Sequence, residues 1–279
     1  MSVARAHHEP LQYQVYAKSQ ANIRRLKDRL PEDVVVNLAR EVIRRVALKD
    51  RNLQSVAAIP CPVNLENICH ELLSDDDKAV VEMIAGLRAD GFEAEEIYLK
   101  HLAGAARMLG QWWEEDKVNF SQVTIASSRM FAIMRSMRHL FEPAIPTHAK
   151  SAIFASVPGE NHTMGVRMAA DLFRKKGWDI LLKVGLDHEA LVAEIEQEPT
   201  GIVGLSISGR HSVDALSRLA VALHISCPQA YLLVSGQDIK EAKPVLSLMG
   251  FDGIASDIDE AKEKMSALWE RKIMEKRVH

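Results

Sequence analysis

The chain has 279 residues, a formal net charge of −3, and a composition that is 47% hydrophobic and 26% charged. That length suits roughly two domains, each able to bury its own core, and the lack of net positive charge argues against a direct nucleic-acid binder. Cys61, Cys69 and Cys227 share no metal-ligand spacing and no disulfide pattern, no apolar run approaches the ~18 residues that span a bilayer, and Met1–His8 holds no apolar signal core. A soluble cytoplasmic protein without membrane contact is therefore expected.

Residues 1–60 read as an N-terminal helical arm. Pro31-Glu32-Asp33 is a good helix start, and Val34, Val35, Leu38, Val42, Ile43 and Val46 recur at helical spacing. Arg40, Arg44, Arg45, Lys49 and Arg51 make this segment basic, as a solvated face or as a surface for a protein partner or a DNA backbone. Ile59-Pro60-Cys61-Pro62 reads as a linker, because two prolines disfavour helix on both sides.

From Asn64 to about Phe141 the pattern is helical. Ser74-Asp75-Asp76-Asp77 opens one helix with acidic residues suited to its amino end, and Asp90-Gly91 closes it. A second helix is expected over 94–113 and a third, long one from near Ser121. Short connections predict an antiparallel four-helix bundle over residues 61–146, ended by Pro143 to Pro146. Residues 147–279 change character. Short apolar runs at 151–157, 178–184, 201–207, 229–234 and near 253–255 alternate with helical patterns at 165–176, 188–197, 211–225, 238–248 and 257–276. This alternation predicts a flavodoxin-like (Rossmann-like), doubly wound, five-stranded parallel sheet, so the whole chain is α + α/β.

Within that domain, Glu160-Asn161-His162-Thr163-Met164-Gly165 follows the first apolar run and precedes a helix. Open α/β sheets bind ligands at the carboxyl ends of their strands. A carboxylate two residues before a histidine can hold one imidazole nitrogen and leave the other free for a metal. The plainer reading is a loop histidine on a generic flavodoxin-like domain. A response-regulator receiver fits poorly, since no phospho-acceptor Asp ends a strand at Val203–Ser206.

These elements resemble the cobalamin-binding module of methionine synthase and corrinoid proteins, whose pattern is D-x-H-x-x-G, then S-x-L or S-x-T, then G-G. Here they read Glu160-x-His162-x-x-Gly165, Gly204-Leu205-Ser206-Ile207-Ser208-Gly209 and Val234-Ser235-Gly236. The resemblance implies that cobalamin (adenosyl-, methyl- or hydroxocobalamin) binds with His162 as the lower axial ligand of cobalt and Glu160 as the partner of its other nitrogen. Gly165 would let the cofactor's nucleotide tail pass close to backbone, Ser206 would hydrogen-bond the tail or the ligand network, and Gly236 would make room for the nucleotide end. Glu160 stands where the family has Asp, Ser235 replaces a glycine and narrows the channel, and Ser208 replaces an apolar contact.

The helical part resembles the family too. Leu109-Gly110-Gln111-Trp112-Trp113 is similar to the L-G-x-x-W that ends a bundle helix over the upper face of the corrin, which implies a cofactor between bundle and α/β domain with Trp113 above it. Trp112 and Trp113 point about 100° apart on a helix, so at most one caps the ring. Light-sensing relatives of the MerR type carry Glu-His where this chain has Val123-Thr124. The run from Trp113 to Thr124 instead resembles the PpaA/AerR family, cobalamin-binding antirepressors of photosynthesis genes in purple bacteria. That implies a transcriptional regulator, responsive to light or redox state, acting on a repressor of the CrtJ/PpsR type rather than an enzyme. A corrinoid methyl carrier of a methyltransferase system is the alternative, and a degenerate regulator without cofactor is a third.

Overall fold

The computed structural model describes residues 12–14, 16–17, 65–76, 78–141, 150–198, 201–209, 212–237 and 239–278. The basic helix expected near 31–51 and both proline linkers lie outside them. The chain divides into two compact units, Met1–Leu140 and Phe141–His279.

The first unit is helical. Its elements are α1 (Leu65–Leu73), α2 (Ala79–Ala89), α3 (Ala94–Glu96), a π-helical stretch (Ile97–Leu102), α4 (Ala103–Glu114) and α5 (Phe120–Met137). Because α3, the π stretch and α4 run on as one rod, the four expected helices are present, but the second is not a uniform α-helix. Ile97, Tyr98, His101 and Leu102 of the π stretch are all buried. The Tyr98 hydroxyl donates to the Met134 carbonyl on α5 at 3.0 Å. His101 is fully buried against the Phe92 ring, and among the described residues neither of its nitrogens has a partner in ordinary hydrogen-bond geometry. Such π segments interrupt a helix at an energetic cost. Met130, Met134 and Met137 fill the core of this unit.

The turn from α4 to α5 follows from three residues. Asp116 adopts φ 56°, its N–H donates to the Trp113 carbonyl, and the Lys117 N–H donates to the Trp112 carbonyl. This is a Schellman ending with Asp in the position usually taken by glycine. Asn119 and Gln122 then form a reciprocal capping box that starts α5.

The second unit contains β1 (Lys150–Ser156), α6 (Met164–Lys175), β2 (Trp178–Lys183), α7 (His188–Glu196), β3 (Ile202–Ile207), α8 (Val213–Ser226), β4 (Tyr231–Gly236), α9 (Ile239–Leu246), β5 (Gly253–Ala255) and α10 (Ile258–Val278). The strands are parallel in the order β2-β1-β3-β4-β5. In this flavodoxin-like order the chain reverses direction across the sheet between β1 and β3, which opens a crevice at their carboxyl ends. One sheet face (Ile153, Ala155, Val203, Leu205, Leu232, Val234) packs under α7, α8 and α9. The other (Ala152, Phe154, Ile202, Tyr231, Leu233) packs under α6 and α10. Alternating residues serve opposite faces, as strand geometry requires.

Candidate cofactor site

Val157-Pro158-Gly159-Glu160 leaves β1 as a type II turn. Gly159 takes φ 80°, and the Glu160 N–H donates to the Val157 carbonyl at 3.0 Å. The turn drives the Glu160 side chain down into the β1–β3 crevice, where it is fully buried, and leaves His162 above it with 69% of its side chain exposed. Glu160 Oε1 accepts from the His162 backbone N–H at 2.8 Å and from Nδ1 at 3.0 Å. Oε2 accepts from the Ser208 N–H at 2.9 Å, the Ser208 hydroxyl at 2.6 Å and the Ser212 hydroxyl at 2.8 Å. Ser208 Oγ also lies 3.2 Å from His162 Nδ1.

Burial alone would push the Glu160 carboxyl up. The hydrogen bonds from His162, Ser208 and Ser212 outweigh it and hold the group well below the usual carboxylate range. Glu160 is therefore an ionised, acceptor-only group, so Nδ1 must carry its proton and the lone pair sits on Nε2. No described residue hydrogen-bonds Nε2. The bond to Glu160 raises the His162 pKa, against the opposing effect of burial. The result is an exposed imidazole of fixed tautomer whose basicity is increased by a buried carboxylate, which is how proteins prepare a metal-ligating histidine.

Below this loop, the α6/α10 face of the sheet loses its bulk. Ser156, Ser206 and Ser235 lie side by side in register on β1, β3 and β4, followed by Ala255 on β5. Gly204, one step further along that face, has no side chain because the Phe154 ring occupies the place, 2.9 Å from where a Cβ would sit. A Cβ on Gly165, at the start of α6, would meet nothing within 4 Å. Small residues, hydroxyls and open space thus line the carboxyl end of this face. Among the described residues no three His, Cys, Asp or Glu side chains cluster as a metal site. One prepared imidazole standing alone suits a metal whose other positions are filled by its own macrocycle.

Residues 150–256 match the family described as B12 binding domain, and residues 65–137 match a second family of the same description. Together the two matches span most of the chain. This chain belongs to the B12-binding proteins. It is 23% identical over 176 residues to an uncharacterized 20.5 kDa protein in the bchF-crtJ intergenic region of Rhodobacter capsulatus, a match covering 61% of this chain and 91% of that one. That relative bears out the resemblance to the PpaA/AerR family. The monomethylamine corrinoid protein of Methanosarcina barkeri shares the fold with a TM-score of 0.61 at 17% identity, over 73% of this chain and 96% of that one. The expected fold class and the cobalamin cofactor are both borne out.

In this B12-binding chain the residues read from the sequence fall into separate groups. Glu160, His162 and Ser208 form one network, and the longer Glu160 side chain, in place of the family's Asp, closes its bond to Nδ1 at an ordinary length. Ser208, where the family has an apolar contact, anchors Glu160 through both its N–H and its hydroxyl. Ser206 and Ser235 stand apart from that network, on the face of the sheet. At Gly236 the backbone itself requires glycine. It has φ 147°, and a Cβ there would lie 1.7 Å from the Ile207 carbonyl oxygen. Ser212, Ser156 and the turn residues Pro158 and Gly159 were missed. Only the Pro-Gly pair carried a local signal.

In the helical unit, Trp112 packs against the His70 ring with centroids 5.2 Å apart. Trp113 lines a separate open groove of about 390 Å³ with Asn119 and Phe120. Val123 is half-buried and Thr124 exposed on α5, and neither lines that groove.

Proposed function

We propose that this B12-binding protein is a transcriptional regulator of the antirepressor kind, acting on a repressor of the CrtJ/PpsR type in response to light or redox state. The observation that carries cofactor binding is the Glu160–His162 pair, with Nδ1 held by a buried carboxylate and Nε2 without a hydrogen-bond partner among the described residues. The regulatory assignment is supported by the relative encoded between bchF and crtJ. His162 would ligate cobalt through Nε2, Glu160 would hold the ring, and the row Ser156, Ser206 and Ser235 with Gly165 would accept the nucleotide tail. Cobalamin, when bound, supplies a cobalt whose axial ligands and oxidation state respond to light and to redox conditions. A ligand state shifts a protein between two conformations only when it binds them with different affinities, so the partner complex must differ between cofactor states.

His162→Ala should abolish the cobalamin absorbance that co-purifies or reconstitutes; retained binding with an unchanged spectrum would refute the ligand assignment. The second reading is a corrinoid methyl carrier, favoured by the fold shared with the monomethylamine corrinoid protein. A cobalamin-dependent complex with the repressor, changed by illumination or oxidation, supports the regulator. Corrinoid-dependent methyl transfer to a thiol or folate with partner enzymes supports the carrier.

A further inference from the structure

The sheet face opposite the serine row is covered by α7, α8 and α9, and on the outer surface of α8 and α9 large apolar side chains stand exposed beside Asp214, Arg218, Lys240, Glu241 and Lys243. Val221 and Ile225 on α8, Val245 on α9 and Leu248 in the turn after it are four of the six large hydrophobic side chains exposed among the described residues. Ile225 is 77% and Leu248 87% exposed. The two helices are neighbours on one face, because they connect β3 to β4 and β4 to β5. Their ends are tied by His224 Nε2, which lies 3.2 Å from the Met249 carbonyl. The helical path continues past Leu246, since the Ser247 N–H donates to Lys243 and the Leu248 N–H to Val245. The four apolar side chains therefore form one patch at a common level. Contiguous exposed apolar surface of this kind marks an interaction site.

The charges around the patch say what it fits. Arg218 lies two turns before Ile225 on the same stripe of α8, and Glu241 lies two turns before Leu248 on the same stripe of α9. Both are exposed. The helices run parallel to one another, since each returns antiparallel to the same set of parallel strands. A two-fold axis along the helix direction, above the groove between them, then places α8 of one copy on α9 of the other with directions preserved. Val221 and Ile225 meet Val245 and Leu248 of the second copy, and Arg218 meets Glu241 of the second copy, twice by symmetry. An apolar centre with a charged rim that pairs with itself is what an isologous interface requires.

We propose that the α8–α9 surface is a two-fold interface at which this chain pairs with a second copy of itself. The patch lies at the carboxyl ends of α8 and α9, and Ser212, which bonds Glu160, is at the other end of α8, so the proposal stands independently of the regulatory reading.

The test is sedimentation of the full chain, with and without bound cobalamin, at micromolar concentration. The wild-type chain should be a dimer, and Ile225→Glu combined with Leu248→Glu should make it monomeric while leaving the cobalamin spectrum unchanged. Arg218→Glu and Glu241→Arg should each weaken pairing at least about tenfold, through like charges facing each other. The two swaps together should recover it to within about threefold of wild type, and this pair decides the matter if the apolar variant does not fold. A monomeric wild-type chain overturns the proposal and leaves the patch to a different protein. A dimer that survives the apolar double variant overturns it, as does a charge-swap pair that fails to recover association.

Discussion

Replacing Glu160 with Gln tests the central network with almost no change in shape. The carboxylate accepts two bonds at Oε1, from the His162 N–H and Nδ1, and three at Oε2, from the Ser208 N–H and hydroxyl and the Ser212 hydroxyl. An amide has one accepting end. If its oxygen faces the serines, its NH₂ group confronts the His162 N–H; if it is flipped, it confronts the Ser208 N–H. The hydroxyls can rotate to accept, but one backbone N–H is orphaned either way, at about 1–3 kcal/mol. The surviving bonds also fall from charge-assisted to neutral strength, losing about 1 kcal/mol each. A loss of roughly 3–5 kcal/mol in the α/β unit is therefore expected from these terms, together with a fall of about 10–100-fold in cobalamin affinity as His162 loses its fixed tautomer.

Urea unfolding followed by amide exchange in β1 and β3 reads the first quantity, and equilibrium dialysis against hydroxocobalamin the second. The acid limb gives an independent check. Because the Glu160 pKa is depressed on folding, its contribution is complete above the unfolded value of about 4.3 and disappears as pH falls below it toward the folded value. The Gln variant should lack that part of the acid loss. Stability within about 0.5 kcal/mol of wild type, the range of an ordinary surface substitution, together with unchanged affinity, would refute the role given to this carboxylate.

Three further outcomes are expected. Because the His162 pKa is raised and cobalt competes with the Nε2 proton, affinity for hydroxocobalamin should decline as pH drops below that raised value, by up to about tenfold per unit; a flat titration between about pH 8 and 5 would contradict this. Gly165→Ala fills only open space and should raise the stability of the empty protein by up to about 1 kcal/mol while weakening cofactor binding, whereas Gly236→Ala, driven into the Ile207 carbonyl, should cost at least about 3 kcal/mol, seen as a lower thermal midpoint of the α/β unit. His101→Leu removes a buried imidazole lacking good partners and should stabilise the helical unit by about 1–3 kcal/mol in urea titration. Burial lowers the His101 pKa, against the pull of Glu96, so wild type loses stability as pH falls below about 6.5 and the Leu variant should not show that loss.

Much of this was legible without coordinates, for a physical reason. Strand–helix alternation over 150–278 is a short-range pattern of apolar periodicity, and it gave five strands and five helices with ends shifted by a few residues. Glu160 and His162 are two residues apart, so the contact between them is local and their spacing alone implied it. The π stretch at Ile97–Leu102 was not legible, because a π turn changes backbone hydrogen bonding while the buried positions keep ordinary helical spacing. The Asp116 helix stop was hidden for a similar reason, since aspartate takes a left-handed conformation only when the flanking turn demands it.

The sequence by itself determined that a histidine with a carboxylate beside it ends the first strand of a parallel sheet, and its family motifs named cobalamin. Tertiary structure decided what holds that histidine. Ser208 and Ser212 reach Glu160 from a loop 48 and 52 residues away, and they do so because β3 lies against β1 in the sheet. The same pairing lines up Ser156 with Ser206, and the neighbouring pair of β3 and β4 adds Ser235 to the row and forces Gly236 against Ile207. Local spacing encodes contacts within a turn; which loops meet across a parallel sheet depends on strand order, and only the folded chain sets that order.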